Sequence, residues 1–143
     1  MLGELYGQYE PTVDSKGRMN FPAKLREVLG DSFFISKTIG AQCLTVHTEQ
    51  SWNDIKEKLR GKPSKQALPI QRFLFGGACV CEPDKQGRIA IPAALREYAE
   101  ITGEVVVLGL VDHAEIWDKA LYEEYNGNTS AEDIADLAEL LGL

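Results

Sequence analysis

Apolar and polar positions along the chain fall into short runs with two periods. Residues 5–13 and 73–81 carry the mixed apolar and aromatic character of β-strands. Arg18-Met-Asn-Phe21 and Arg88-Ile-Ala-Ile91 alternate polar and apolar, as a half-buried strand does. Each short strand runs into a proline, Pro22 or Pro92, which stops it and suits the first turn of a helix. Helical spacing follows over residues 23–29 and 93–99, the first ended by Gly30. Two further β-like runs come next in each half, at 33–35 and 45–47 and at 105–108 and 115–117. Helices are predicted at 51–59 and 119–125. Thr129 and Ser130, with Glu132 and Asp133, cap a final amphipathic helix over 131–141.

The same pattern occurs twice because the chain is a duplication. Residues 14–26 read DSKGRMNFPAKLR and residues 84–96 read DKQGRIAIPAALR. Seven of the thirteen positions are identical at a constant offset of 70, without a gap. Met19/Ile89 and Phe21/Ile91 stay apolar, and Lys16/Gln86 stay polar. Similarity continues outward through Gly7/Gly77, Glu27/Glu97 and Trp52/Tyr122, with a small register slip between 33–35 and 105–108. Arg60-Gly-Lys-Pro-Ser-Lys65 reads as a polar connection. The predicted division is a first repeat at 1–60, a linker at 61–70, a second repeat at 71–126 and a C-terminal helical segment at 127–143. The expected fold is α+β, built from two copies of one β-rich turn–strand–proline–helix unit with short helices around them.

Charge changes the picture. Of the 143 residues, 15 are basic and 22 acidic, a net charge of −7. Beyond Arg96 a single base, Lys119, faces twelve acids, so that stretch carries −11 and residues 1–96 carry +4. A basic body with an acidic end fits separate functional surfaces; an acidic region that only aids solubility fits the same numbers. There is no basic leader followed by an apolar run and no apolar stretch near 18 residues, so a cytoplasmic protein without a membrane partner is expected. Cys43, Cys79 and Cys81 are an odd count with no second closely spaced pair, and His47 and His113 are the two histidines. No zinc set, phosphate loop or nucleophile constellation emerges, and the cysteines read as small buried apolar groups. The expectation is no enzyme, no metal and no cofactor, with no small-molecule substrate evident. Asp112-His113 with Glu115 reads as a surface turn in preference to a cation site.

Asp-x-x-Gly-Arg-x-x-x-Pro-Ala-x-Leu-Arg, present twice about 70 residues apart, resembles the MraZ family of AbrB-like swapped-hairpin DNA-binding proteins. The resemblance spans residues 6–125; residues 127–143 lie outside it. It implies halves packed like the subunits of an AbrB-type dimer: two intertwined swapped-hairpin β units forming a compact barrel about a pseudo-twofold, with short peripheral helices. It also implies ring-shaped oligomers that bind short direct repeats in double-stranded promoter DNA, upstream of a division and cell-wall gene cluster. A transcriptional regulator associated with the nucleoid is therefore expected.

The residues that would contact DNA follow from the turns. Arg18 and Arg88 each follow a glycine at the tip of a predicted β-turn, where a long cation projects from the body. A guanidinium suits bidentate contact with guanine or phosphate, and the matching family arginine is associated with DNA binding. The competing reading has each arginine pair with the motif aspartate and stiffen the turn. Lys16, Lys85 and Gln86 sit in the same turns, within reach of phosphates or base edges or simply solvated. Asp14, Gly17 and Pro22, with Asp84, Gly87 and Pro92, are read as loop architecture. Arg26 and Arg96 are expected to pair with acidic neighbours on the helices. Lys56, Lys58, Arg60, Lys62, Lys65 and Arg72 either extend a phosphate-facing surface or form an exposed linker face. The alternative function is a protein-interaction module, antitoxin-like or a scaffold subunit, without operator binding.

Overall fold

The computed structural model describes residues 3–143. The first half contains β1 (Leu5–Tyr9), β2 (Arg18–Asn20), α1 (Ala23–Leu29), β3 (Phe33–Lys37), β4 (Leu44–His47), α2 (Glu49–Leu59) and α3 (Ser64–Leu74). The second contains β5 (Cys79–Cys81), β6 (Arg88–Ala90), α4 (Ala93–Tyr98), β7 (Val105–Val111), β8 (His113–Asp118), α5 (Lys119–Gly127) and α6 (Ala131–Leu140). The fold is α+β, as expected. No helix among the described residues is long and apolar enough to cross a membrane.

The halves are woven together. Six strands form one antiparallel sheet in the order β1-β7-β8-β4-β3-β5, so the first strand of each half pairs inside the other half's territory or at its edge. β2 and β6 form a separate antiparallel ribbon. Met19 pairs with Ile89 in the ribbon, and Thr45 pairs with Glu115 at the centre of the sheet. Each pair consists of repeat counterparts 70 apart, so a pseudo-twofold axis passes through both. The expected closed barrel is not seen: the sheet stays open, with β1 and β5 as its edges.

Alternation along the strands builds three layers. One sheet face presents Leu5, Phe33, Ile35, Leu44, Val46, Val105, Val107 and Ile116, all at most 1% exposed, to the ribbon and to α1 and α4. Met19, Phe21, Leu25, Ile89, Ile91 and Leu95 close that core from above, so both halves supply it. Full burial of such side chains is worth about 1.5–3 kcal/mol each. The opposite face presents Phe34 and His47 to α2, where Trp52 stacks on Phe34 at 5.0 Å and tilts against His47 at 4.8 Å. α3 packs over β3, and α5 over β7 and β8.

Two expectations are corrected. Residues 61–70 are largely helical, not a linker, because α3 begins at Ser64 and buries Ala67 and Leu74. Residues 73–74 end that helix, and the strand read over 73–81 shrinks to Cys79–Cys81. Pro63, in the polar 60–65 stretch, is a loop signal in the sequence, yet it is the N-cap of α3, and Pro69 is accommodated inside the helix. Ala67 and Leu74 lie on one helical face and are buried, and packing of that face outweighs the lost backbone bond.

Candidate nucleic-acid interface

The two motif turns are built alike. In the first, the Asp14 carboxylate accepts the backbone N–H groups of Lys16 and Arg18 on Oδ1, each at 2.9 Å, and the Arg18 Nε on Oδ2 at 3.0 Å. In the second, Asp84 accepts Gln86 N–H, Arg88 N–H and Arg88 Nε at 2.9, 2.9 and 3.0 Å. The backbone closes each loop through Gly17 N–H to Asp14 O and Gly87 N–H to Asp84 O, both at 2.9 Å. These bonds favour the charged carboxylate, so both aspartates are held below their ordinary value, first by the backbone N–H of the following arginine.

Each turn is also clamped by the other half. The Gly17 carbonyl accepts Ile91 N–H at 2.8 Å, and the Gly87 carbonyl accepts Phe21 N–H at 3.0 Å. Gly17 and Gly87 adopt φ of +84° and +80°, and there is no room for a side chain at either. A Cβ on Gly17 would lie 2.5 Å from Ile91 O and 2.7 Å from Arg96 Nε; one on Gly87 would lie 2.5 Å from Arg26 Cζ. Arg26 and Arg96 are therefore structural, but not through the acidic neighbours expected. Their Nε groups donate to Phe21 O and Ile91 O at 3.0 Å while each guanidinium covers the opposite half's glycine. Pro22 and Pro92 sit at the N-caps of α1 and α4 and start those helices.

The ribbon sorts side chains into two sets. Met19 and Ile89 point into the core, 2% and 3% exposed. Arg18, Asn20 and Ala90 point outward and are exposed, and Arg88 is half-exposed beside them. Arg18 lies opposite Ala90, and Asn20 opposite Arg88, which places the two arginines diagonally on one surface, roughly 7–8 Å apart along the backbone and somewhat less at Cβ by strand geometry. Both readings of these arginines meet here. Nε is committed to the motif aspartate, while Nη1 and Nη2 make no hydrogen bond among the described residues. Asn20 is a candidate missed from sequence: its outward position follows from the Met19 alternation, and its amide has the donor and acceptor pair that reads adenine. Lys16, Lys85 and Gln86 are exposed at the turn tips.

The surroundings of the two turns differ. Glu27, Asp31 and Glu82 line a groove beside Asp84, whereas the repeat counterparts of Asp31 and Glu82 are Ile101 and Thr12. The turn tips carry equal charge, one lysine each, Lys16 in the first and Lys85 in the second, so the difference between the two surroundings lies in these acids. The basic set Lys56, Lys58, Arg60, Lys62, Lys65 and Arg72 lies on α2, α3 and their connection, the layer on the opposite side of the sheet from the ribbon. Asp112, His113 and Glu115 do not converge: His113 Nδ1 bonds Asp112 at 2.7 Å, and Glu115 accepts Trp117 Nε1 at 2.9 Å. No group of three or more His, Cys, Asp or Glu among the described residues is arranged to hold a metal ion.

The ribbon is two strands wide and carries cationic and amide side chains on its free face, an exposed surface of hydrogen-bonding groups. The sequence profile of the family described as "MraZ protein, putative antitoxin-like" matches residues 5–68 and 74–141. The chain belongs to the MraZ family. It is 47% identical over 136 residues to a protein of Thermoanaerobacter sp. (strain X514) named transcriptional regulator MraZ, covering 92% of this chain and 94% of that one. Proteins of the same name from Caldicellulosiruptor bescii and Acetivibrio thermocellus are 45% and 42% identical, covering 97% and 96% of this chain and 99% of each relative. The second matched segment runs through α6, beyond the stretch that carried the resemblance in the sequence.

Proposed function

We propose that this protein is a transcriptional regulator that binds double-stranded DNA through the outer face of the β2–β6 ribbon. One observation carries the reading: two equivalent aspartate-braced turns present Arg18 and Arg88 on one exposed surface about a pseudo-twofold axis. Guanidinium forks read guanine or phosphate, Asn20 reads base edges, and Lys16, Lys85 and Gln86 hold the backbone. The relatives are named transcriptional regulators, not enzymes, which supports the same class.

Two arginines are few contacts for tight binding, so affinity comes from several protomers on one stretch of DNA. The operator in this reading is a set of short direct repeats in the protein's own promoter, ahead of a division and cell-wall gene cluster, and the protein works at the nucleoid as a ring. α6 supports self-assembly: Ile134, Leu137 and Leu140, with Leu141 at the C-cap, are more than half exposed on a helix with no buried residue. Soluble chains seldom leave such a stripe without a partner. The same stripe favours a second reading, an interaction module without operator binding.

Fluorescence anisotropy with DNA from upstream of its own gene, over a salt series, decides between them. Wild type binds with a steep salt dependence, and Arg18→Ala/Arg88→Ala loses at least about thirtyfold in affinity, since each good bidentate contact is worth about 1–3 kcal/mol. Wild-type affinity no greater than for random DNA would leave the interaction module.

A further inference from the structure

Cys79 and Cys81 are alternate residues on β5, at the open edge of the sheet, and both point toward the core side. Their sulfurs approach to 3.6 Å, although alternate residues on a strand stand roughly 6.6 Å apart at Cα. Val80 between them faces outward and is exposed. Two cysteines serving only as small apolar fillers have no need to converge. Nor are the two sulfurs equivalent: Cys81 is buried, while Cys79 is half-buried and reachable from the edge.

We propose that Cys79 and Cys81 form an oxidisable dithiol, a modification site that a hydroperoxide converts into an intrastrand disulfide. The Cys79 thiol is held below its ordinary value, chiefly by the hydrogen bond from Cys81, which outweighs its burial. Cys81 is pushed up by the same contact and by burial, which makes it the proton-bearing partner. Attack follows that division. The Cys79 thiolate takes the terminal oxygen of the hydroperoxide, the O–O bond breaks, and an alcohol or water leaves with a proton from solvent. Cys81 sulfur then attacks the Cys79 sulfenic acid; the S–O bond breaks, the S–S bond forms and water leaves with the Cys81 proton. Two thiols lose two electrons and the peroxide gains them. Cys43 has no part in this, because burial pushes its thiol up to about 12.

Closing the bridge bends β5, since its Cα spacing lies at the upper end of what a disulfide spans. A strained, edge-exposed disulfide is easily reduced by thiols, as a reversible modification requires. β5 pairs with β3 at Cys79↔Ile35 and Cys81↔Phe33, and Cys81 lies three residues before Asp84. The bend is therefore delivered to the second turn. This consequence, unlike the bridge itself, rests on the DNA-binding reading above.

Peptide mass spectrometry after peroxide treatment tests the bridge without DNA. Reduced wild-type protein is exposed to hydrogen peroxide, blocked with iodoacetamide under denaturing conditions and digested with trypsin. The peptide spanning residues 73–85 loses two hydrogens and takes no label, while the Cys43 peptide is labelled; dithiothreitol restores two labels, and Cys79→Ser leaves Cys81 labelled. Two labels on that peptide after peroxide, or a dimer on a non-reducing gel in its place, would overturn the site. In parallel, oxidised wild type is expected to bind its upstream DNA about tenfold more weakly than reduced protein, within the usual range of coupling between sites. Cys79→Ser is expected to bind equally well with and without peroxide. An intact disulfide with unchanged DNA affinity would overturn the coupling and leave the modification site. Absence of binding by the reduced protein would count against the DNA reading alone.

Discussion

The first half ends in α3 and the second in α6, helices that follow equivalent helices, α2 and α5, in the repeat. α3 lies over β3 and buries Ala67 and Leu74, and Phe73 meets Tyr98 edge-on at 5.9 Å. α6 buries nothing, although its capping box, with Ser130 and Asp133 each bonding the other's backbone, is the better local signal. The motif turns behave in the opposite way: their side-chain hydrogen bonds have the same lengths in both halves. Local chemistry reproduces a turn wherever Asp, Gly and Arg recur at the same spacing. A helix's place depends on which apolar surfaces the rest of the chain leaves for it.

Perturbing the equivalence of the turns gives the largest effects. Gly17→Ala and Gly87→Ala are each expected to cost about 2–4 kcal/mol in urea unfolding, because positive φ strain adds to a backbone or guanidinium collision. Similar costs at the two sites sharpen the pseudo-twofold; a loss at one alone would break it.

A second test concerns His47, whose repeat counterpart is Trp117. Burial pushes its imidazole down to about 4 from an ordinary 6.5, with Nε2 on Ser36 at 2.8 Å and Nδ1 without a partner among the described residues. Between those values the unfolded chain binds a proton that the folded chain refuses, so stability falls as pH drops from 6.5 toward 4. The loss reaches up to about 3 kcal/mol. His47→Leu is expected to flatten that slope in urea midpoints measured across the window; an unchanged slope would assign the acid sensitivity elsewhere.

Smallest are the effects at the turn tips. Gln86→Lys is expected to steepen the salt dependence of operator binding by about 0.9 in log–log slope, and Lys16→Gln to flatten it by a similar amount. Equal slopes in all three proteins would place both tips away from phosphate. Arg18→Ala alone is expected to weaken operator binding more than Arg88→Ala, because the second arginine works beside Glu82 and Asp31. Anisotropy on the same DNA distinguishes them.

Much of the site was legible in the sequence because its determinants are close in sequence. Asp14, Gly17 and Arg18 close one loop among themselves, as do Asp84, Gly87 and Arg88, so spacing alone locates the turns and the arginines. Asn20 was equally readable from the alternation around Met19. The partners of Arg26 and Arg96 were not. Each lies over a glycine of the other half, and a helical arginine near Glu27 or Glu97 gives no sign that a carbonyl and a bare backbone will claim it. α3 was hidden for another reason: Pro63 in the polar 60–65 stretch is a local loop signal, and the burial of Ala67 and Leu74 that overrides it is a long-range gain.

By itself the sequence determined the duplication, the turn–strand–proline–helix unit and the residues at each turn tip, because these follow from steric and hydrogen-bonding rules acting over a few residues. Only the tertiary structure decided that the sheet stays open, that the halves clamp each other's glycines, that the basic connection lies across the sheet from the ribbon, and that α3 is buried while α6 is bare. Each of these depends on which distant surfaces meet, and burial is decided by the whole chain at once.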